Sequence, residues 1–476
     1  MLVVGGRLAA ALMALISMRA VTTFLTPEQY GELALLIAVQ SFCGLLLINP
    51  IGQHINLHTH AWWDDGTLMA RLKSYRAYII MVSFVGAIVI FTMGKQHTLE
   101  QILWTSIAMF TVVIVGTWNS TLIPMLNLLG FRAASVLWSI LTVIIGLACS
   151  ICLVMWLSTA TAWFAGQAIG MGVCALGANY VLQKHVLPTK HSKEHLSLID
   201  KSTVLSYCLP LALATGLMWL QLSGYRFLVE SYWGLTQLGF MVIGLQLAGQ
   251  ISALAESLAM QFFHPMFFRR VSAHEQMDEV KLALSDLLNT LIPVYFVLTG
   301  LIIVSAPYLL KVLVASEFQD AKFFVMLGAG IELCRVVGNL LSNAAHIRRK
   351  TNSLALPYGA GAITTLVLIV LIGLRQQEII WVGVALISGA IAMLLVMLIA
   401  MYRQVSFRLD VWRCLFGIVV MLAMIGLVDW LPTPDGMIMA IECLIVTATL
   451  ASIVVVALLW KNSATLRLLN VQLRKN

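Results

Sequence analysis

Four arginines lie inside runs of apolar residues, where a charged side chain is costly: Arg7, Arg19, Arg226 and Arg335. An ionised arginine at the centre of a membrane-spanning helix costs roughly 2.5–3.5 kcal/mol on insertion scales. Such residues therefore usually face a water-filled cavity or an ion partner. A guanidinium group can bind a phosphate through two parallel hydrogen bonds, which a lysine ammonium group cannot. Arginine at all four positions therefore suits a phosphate-binding site.

Each of these arginines also has a simpler interpretation. Arg19 and Arg226 lie toward the predicted outer ends of their helices, from which a long side chain can snorkel to the lipid headgroups. Arg7 lies near the predicted inner end of its run, where it could serve as an orientation charge. Arg335 follows Glu332 by three positions, so the two side chains could form an ion pair on one helix. These alternatives stay open at the level of the sequence.

Amide side chains recur at three- and four-residue spacing within several apolar runs, which places them on one face of a helix. Amides on such a face can bind sugar hydroxyls in a wet cavity, or they can form hydrogen bonds between helices in lipid. Stripes on several helices together favour the wet cavity. The predicted binding residues of this kind are Asn49, Gln53, Gln250 and Asn339.

The sequence contains no G-x-x-x-x-G-K-[ST] phosphate loop, so nucleotide hydrolysis on this chain is not expected. Proton or sodium coupling, or the membrane potential, is then the energy source for any transport. Glu256, Glu332 and Glu230 are the candidate ion-coupling carboxylates. Glu332 has Arg335 beside it and should stay ionised, whereas Glu256 has no evident local cation and is the better proton carrier. We predict no catalytic residue, metal site or bound cofactor.

Composition shows which solvent these residues require. The chain has 476 residues, of which 60% are hydrophobic and 11% are charged, whereas an ordinary soluble domain is about 25% charged. So few charges cannot cover a water-facing surface. This excludes a soluble enzyme, a nucleic-acid-binding protein and a disordered chain, and it makes the bilayer the main solvent. The net charge of +8 then indicates cytoplasmic loops rather than a nucleic-acid partner.

Because a membrane-spanning helix needs about 20 apolar residues, the chain can hold about fourteen such helices. Most lysines and arginines fall in loops on one predicted side, which favours a multi-pass membrane protein with both termini in the cytoplasm. The predicted spans are 2–24, 31–57, 77–94, 101–126, 133–156, 161–183, 203–230, 237–265, 283–305, 323–346, 353–374, 379–402, 412–430 and 437–460.

The longest loop, 184–202, is basic and separates the first six spans from the next six. We therefore expect an all-α membrane protein with an N-lobe (1–183), this cytoplasmic linker, a C-lobe (203–402), and a C-terminal helix pair with its tail (403–476). Two segments indicate a repeat: Arg19 precedes Leu25-Thr26 and Gly31, and Arg226 precedes Leu235-Thr236 and Gly239. Six helices separate them, so the repeat is parallel and the substrate is expected between the halves.

The segment Leu25-Thr-Pro-Glu-Gln-Tyr-Gly31 after an arginine-bearing first helix resembles the polysaccharide (O-antigen) flippases. This family belongs to the multidrug/oligosaccharidyl-lipid/polysaccharide exporter superfamily. Gln261-FFHPMFF, Ala306-Pro307-YLLKVLVASEF and the plan of six, six and two helices fit as well. The resemblance covers essentially the whole chain. It implies that undecaprenyl-diphosphate-linked oligosaccharide moves from the inner to the outer leaflet, through a cationic cavity between two lobes, by alternating access.

The partners implied by the resemblance are the lipid-linked oligosaccharide, membrane lipid and the polysaccharide polymerase machinery. Three other functions remain open: a cation-coupled multidrug exporter of the same superfamily, a peptidoglycan lipid-precursor flippase, and a membrane glycan polymerase or ligase. A drug exporter would favour an acid-rich cavity. A polymerase would be expected to carry a large outer loop with a catalytic set, and no such loop is present. The sequence does not determine the oligomeric state.

Overall fold

A computed structural model describes residues 2–94, 98–185, 201–273, 277–348, 350–460 and 462–473 of the chain. These residues are helical with short connections and contain no β-strand. They form two compact units, Met1–Phe227 and Leu228–Asn476. The predicted linker lies largely outside the described residues, so the lobe boundaries given above stay a prediction. The helix predicted at 203–230 falls mostly in the first unit.

The first unit holds eight helices before the linker: α1 (Leu2–Phe24), α2 (Pro27–Phe42), α3 (Asn49–Asp64), α4 (Leu68–Ser74), α5 (Arg76–Met93), α6 (Leu99–Leu128), α7 (Arg132–Trp156) and α8 (Ala160–His185). α9 (Lys201–Trp219) follows the linker. Two short π-helical segments interrupt the regular helices. The first, Cys43–Ile48, joins α2 to α3, and the second, Leu220–Gly224, joins α9 to α10 (Tyr225–Ala273).

The second unit contains the rest of α10 and α11 (Met277–Leu313), α12 (Lys322–Ile347), α13 (Ala355–Leu374), α14 (Ile380–Gln404), α15 (Val411–Gly426), α16 (Met437–Leu459) and α17 (Ser463–Leu473). Its core forms around α11. In the most apolar stretch of α11, 72% of the residues are buried, whereas in the most apolar stretch of α16 only 11% are. α12, α15, α16 and α17 all pack against α11. The outward surface of α16 is apolar and exposed, as expected for a lipid-facing helix.

All fourteen predicted spans correspond to helices among the described residues. Eleven helical stretches are long and apolar enough to cross a membrane, and two shorter apolar helices, Leu12–Phe24 and Val411–Gly426, accompany them. One of the eleven, Val204–Val271, is broken at Gly234, where φ is 82°, so it supplies both predicted spans of that region. The protein is therefore an all-α, multi-pass membrane protein.

The Leu-Thr-Pro-Glu-Gln motif starts α2 as a capping box. Thr26 Oγ1 accepts a hydrogen bond from the Gln29 backbone N–H at 3.3 Å, and Gln29 Oε1 accepts one from the Thr26 N–H at 3.1 Å. Pro27 occupies the first helical turn, where no N–H is needed. The second predicted exit turn coincides with the break at Gly234. Both turn motifs thus mark places where one helix ends and another begins.

α17 is fixed to the second unit by buried charge. Asp286 of α11 has a side chain only 1% exposed, and it accepts hydrogen bonds from Arg270 of α10 and Arg467 of α17. Arg270 also pairs with Glu279, which balances the two positive charges. The hydrogen bonds to Asp286 raise the pKa of Arg467 above its usual value.

Candidate functional site: a polar cavity and two arginine sites

A cavity of about 510 Å³ lies within the first unit, between the α2–α3 region, α6 and α8. This volume is in the range of about 300–1,000 Å³ that small-molecule sites occupy. The predicted residues Asn49 and Gln53 lie in its wall, together with Asn56 from the same stripe. None of its lining residues has an ionisable side chain. The cationic lining that the resemblance implies is therefore not found in this cavity.

The first π segment explains why the stripe faces the cavity. Proline has no N–H and cannot continue the regular hydrogen-bond ladder of a helix. Pro50 is the second residue of α3, which follows the π segment, and the wider turn of that segment shifts the helical register. π turns inside α-helices occur frequently at functional sites. After this shift, Asn49, Gln53 and Asn56 follow one another at helical spacing on one face.

α6 supplies polar groups that the sequence reasoning missed. Thr117, Asn119, Ser120 and Thr121 all line the cavity. The signal was the polar run Thr117-Trp-Asn-Ser-Thr121 in the middle of an apolar helix, which we did not treat as a binding stripe. Consecutive residues point to different sides of a helix, so the run does not match the spacing of a single face.

Arg226 is the second residue of α10, which begins at Tyr225 directly after the second π segment. Its Nη1 donates a hydrogen bond to the backbone carbonyl of Ala34 at 3.0 Å, while its Nε is buried without a hydrogen-bond partner. Nearby, Trp219 Nε1 donates to the Ala38 carbonyl at 3.0 Å. Among the described residues, no carboxylate forms an ion pair with Arg226. The described hydrogen bond of this guanidinium is thus made to a backbone carbonyl and not to a carboxylate.

The two remaining arginines of the four singled out in the sequence, Arg19 and Arg7, have fewer described contacts. Arg19 is half-buried near the end of α1, and its backbone carbonyl accepts hydrogen bonds from Thr22 and Thr23. The Arg7 side chain lies outside the residues whose side chains are described. The proposed binding roles of Arg19 and Arg7 remain predictions.

Arg335 is held by acid in the second unit. Its Nε lies 2.7 Å from Glu332 Oε2, which is the ion pair that the sequence allowed, and its Nη1 lies 3.0 Å from Glu256 Oε2 on α10. Asn339 Nδ2 donates to Glu256 Oε1 at 2.9 Å. The expectation that Glu256 has no local cation is thus wrong, because α10 and α12 pack side by side at this point. We call Glu256, Glu332, Arg335 and Asn339 the acidic cluster.

Two tyrosines lie near the acidic cluster. Tyr295 of α11 and Tyr358 of α13 are both within electrostatic reach of Glu256 and Arg335. Tyr295 is 3% exposed, and its hydroxyl has no hydrogen-bond partner. With both carboxylates ionised, the cluster carries one net negative charge. In that state the cluster would attract a cation rather than a phosphate.

The remaining predicted residues lie apart from any described polar partner. Gln250 is half-buried on α10, and Glu230 is half-buried near the beginning of that helix. No hydrogen bond or ion pair of either side chain occurs in the described part of the chain.

One turn beyond the acidic cluster, His264 Nε2 lies 3.0 Å from Asn343 Oδ1. An amide oxygen only accepts, so this histidine nitrogen carries the proton. No group of three potential metal ligands occurs among the described residues.

No protein-family model and no curated protein matches the chain. Several solved structures, however, do match the chain. "Lipid II flippase MurJ, inward closed conformation" matches with a TM-score of 0.68 at 11% identity, over 97% of this chain and 98% of that one. A MOP superfamily transporter from Pyrococcus furiosus matches with a TM-score of 0.54 at 12% identity, over 88% and 93%. The chain therefore shares its overall fold with these two solved structures. At these identities the likeness shows the fold, and the cargo must be argued from the residues.

Proposed function

We propose that this protein is a flippase that moves undecaprenyl-diphosphate-linked oligosaccharide from the inner to the outer leaflet of the bacterial cytoplasmic membrane. The observation that carries the proposal is Arg226, a guanidinium in an apolar helix with a backbone carbonyl as its described partner. A diphosphate carries negative charge and accepts two parallel hydrogen bonds from such a group. Arg19 is a second candidate for the same headgroup.

Alternating access is the mechanism we propose for this cargo, with both termini in the cytoplasm and the product delivered to a polysaccharide polymerase. The two π segments support a moving element in the first unit, because they replace regular ladder bonds with weaker, wider turns. Each π segment adjoins a proposed binding group: Cys43–Ile48 adjoins Asn49, and Leu220–Gly224 adjoins Arg226.

We further propose that the acidic cluster couples transport to a monovalent cation, either a proton or sodium. Two carboxylates and one guanidinium leave one negative charge in a partly buried site, with side chains between 15% and 25% exposed. Binding one cation would neutralise this charge, which low-dielectric surroundings favour. In this proposal Glu256 and Glu332 share the role, and Glu230 is a weaker candidate.

A multidrug exporter is the second candidate function, and the acidic cluster is the observation that favours it. An organic cation could replace the metal ion or proton at Glu256 and Glu332. Arg226 argues against this cargo, because a guanidinium would repel a cation in the first unit. A peptidoglycan-precursor flippase stays closer to the main proposal, since its cargo is also a lipid diphosphate.

The test is transport of a fluorescent undecaprenyl-diphosphate disaccharide in proteoliposomes of the full chain. We expect Arg226→Ala to abolish transport and Arg226→Lys to restore only part of it, because an ammonium cannot form the two-pronged contact. Arg132→Ala is the matched control, since Arg132 is exposed at the start of α7. Full transport by Arg226→Ala, or transport of a cationic dye instead of the lipid, would refute the proposal.

A further inference from the structure

The cavity of the first unit has a wall that accepts hydrogen bonds. Several of its hydroxyl groups already donate their proton to backbone carbonyls: Ser41 to Ala38 at 2.9 Å, Ser120 to Thr117 at 3.1 Å, and Thr117 to Val113. A hydroxyl that has donated its proton still has lone pairs to offer. These side chains therefore present acceptors to a molecule in the cavity.

Asn119 adds to the same pattern. Its Nδ2 donates to Thr142 Oγ1 and to the Met171 carbonyl, both at 3.1 Å, so its two N–H groups are used. The amide oxygen remains as an acceptor. Because these contacts join α6 to α7 and α8, the orientation of the Asn119 amide is fixed before any ligand enters.

Four further amides lie on the opposite wall: Gln40, Asn49, Gln53 and Asn56. Their side chains have no hydrogen-bond partner in the part of the chain that the structure describes. Each offers one acceptor oxygen and two N–H donors. The cavity thus combines fixed acceptors on α6 with free donor–acceptor groups on the α2–α3 region.

The chemistry that fits this wall is an uncharged polyol. Sugar hydroxyls both donate and accept, which matches acceptors on one side and amides on the other. A phosphate or uronate group here would meet no cation among the lining residues, and burying an unpaired charge is strongly unfavourable. A hydrocarbon chain would leave the amides unsatisfied.

We infer that this cavity is a subsite for the neutral sugars of the cargo, separate from the group that binds the diphosphate. The inference rests on the proposed function and adds that the transporter selects a saccharide whose lipid-proximal sugars carry no charge. The distance between the two groups suits one cargo molecule that contacts both. Ala34 contacts Arg226 and Ser41 lies in the cavity wall, and these residues are about 10 Å apart along helix α2 at 1.5 Å per residue.

The experiment compares three fluorescent lipids in proteoliposomes: undecaprenyl diphosphate alone, the same lipid with a neutral disaccharide, and the same lipid with a disaccharide containing a uronic acid. Wild-type protein is expected to move the neutral saccharide lipid best. Asn49→Ala/Gln53→Ala is expected to slow that lipid about tenfold, from two lost hydrogen bonds, and to change the sugar-free lipid less than about twofold. Gln53→Arg is expected to improve transport of the uronic acid lipid.

Gln183→Ala is the control, because Gln183 is an exposed amide on α8 outside the cavity. An equal loss for the saccharide lipid and the sugar-free lipid would overturn the inference while leaving the proposed function intact. Transport of none of the three lipids by wild-type protein would instead overturn the proposed function. A preference of the wild-type protein for the uronic acid lipid would also overturn the inference.

A second measurement does not depend on the alanine variants folding. A side chain at Gly52 would meet nothing within 4 Å, so Gly52→Cys introduces a thiol into the cavity without a clash. In a background where the exposed and partly exposed cysteines Cys149, Cys152, Cys414 and Cys443 are replaced by serine, a water-soluble maleimide is expected to label this thiol. The neutral saccharide lipid should protect it and undecaprenyl diphosphate should not. Equal protection by both lipids, or protection by neither, would contradict a sugar subsite.

Discussion

Arg335 on α12 and Glu256 on α10 form an ion pair of 3.0 Å between Nη1 and Oε2. Together with Glu332, this contact turns an arginine that could have bound phosphate into part of an acidic cluster. Arg226, by contrast, has a backbone carbonyl as its described partner. The two intramembrane arginines therefore have different roles in our proposal: Arg335 tunes a cation site, and Arg226 binds an anion.

Removing Arg335 should destabilise the protein. Arg335→Ala leaves Glu256 and Glu332 as two partly buried carboxylates without a cation, and breaking a buried ion pair costs about 3–5 kcal/mol. Because the side chains are 15–25% exposed, we expect the lower end of that range. Thermal unfolding in detergent measures the loss. Arg335→Ala combined with Glu256→Gln and Glu332→Gln should recover most of it, and an unchanged melting temperature for Arg335→Ala would contradict the cluster.

Removing one acid should affect coupling rather than folding. In Glu332→Gln, Glu256 and Arg335 still form a neutral pair, so the melting temperature is expected to stay close to that of the wild type. Transport driven by a proton or sodium gradient should lose its dependence on that gradient. The measurement is flipping in proteoliposomes with each gradient imposed separately. A gradient dependence as strong as in the wild type would show that Glu332 is not needed for coupling.

The docking of α17 should depend on Asp286. This carboxylate is 1% exposed and pairs with Arg270 and Arg467, so Asp286→Ala leaves Arg467 without its acid and Arg270 with Glu279 alone. We expect a loss of about 3–5 kcal/mol and faster proteolysis of the C-terminal helix. Asp278→Ala is the control, because its pair with Lys281 is exposed and contributes little. Equal behaviour of the two variants would contradict the docking role.

The close contact of α7 with α8 should not tolerate a larger residue at Gly170. A Cβ there would overlap the backbone of Gly146, so the two helices would have to move apart. We expect Gly170→Val to lower stability by roughly 1–3 kcal/mol, as overpacking usually does. Gly172→Ala, whose Cβ would lie 3.5 Å from Val115 Cγ1, is the matched control. Similar unfolding temperatures for both variants would argue against a tight α7–α8 interface.

Sequence reasoning located part of the candidate site. It identified Asn49 and Gln53 because a stripe at helical spacing depends only on neighbours along the chain. It allowed the Glu332–Arg335 pair for the same reason. It missed the α6 residues, since Asn119 and its neighbours reach the cavity through packing and not through spacing on one face.

The sequence by itself determined that the bilayer is the solvent, where the fourteen helices lie, and how α2 begins. Each of these follows from local chemistry, because backbone groups in lipid must form helical hydrogen bonds and apolar side chains must cover them. Only the tertiary structure decided which charges neutralise each other. Glu256 and Arg335 are far apart in the chain, and their pairing depends on how α10 packs against α12. Electrostatic partners at such separations leave no periodic signal in a sequence, so the difference between Arg226 and Arg335 appears only after folding.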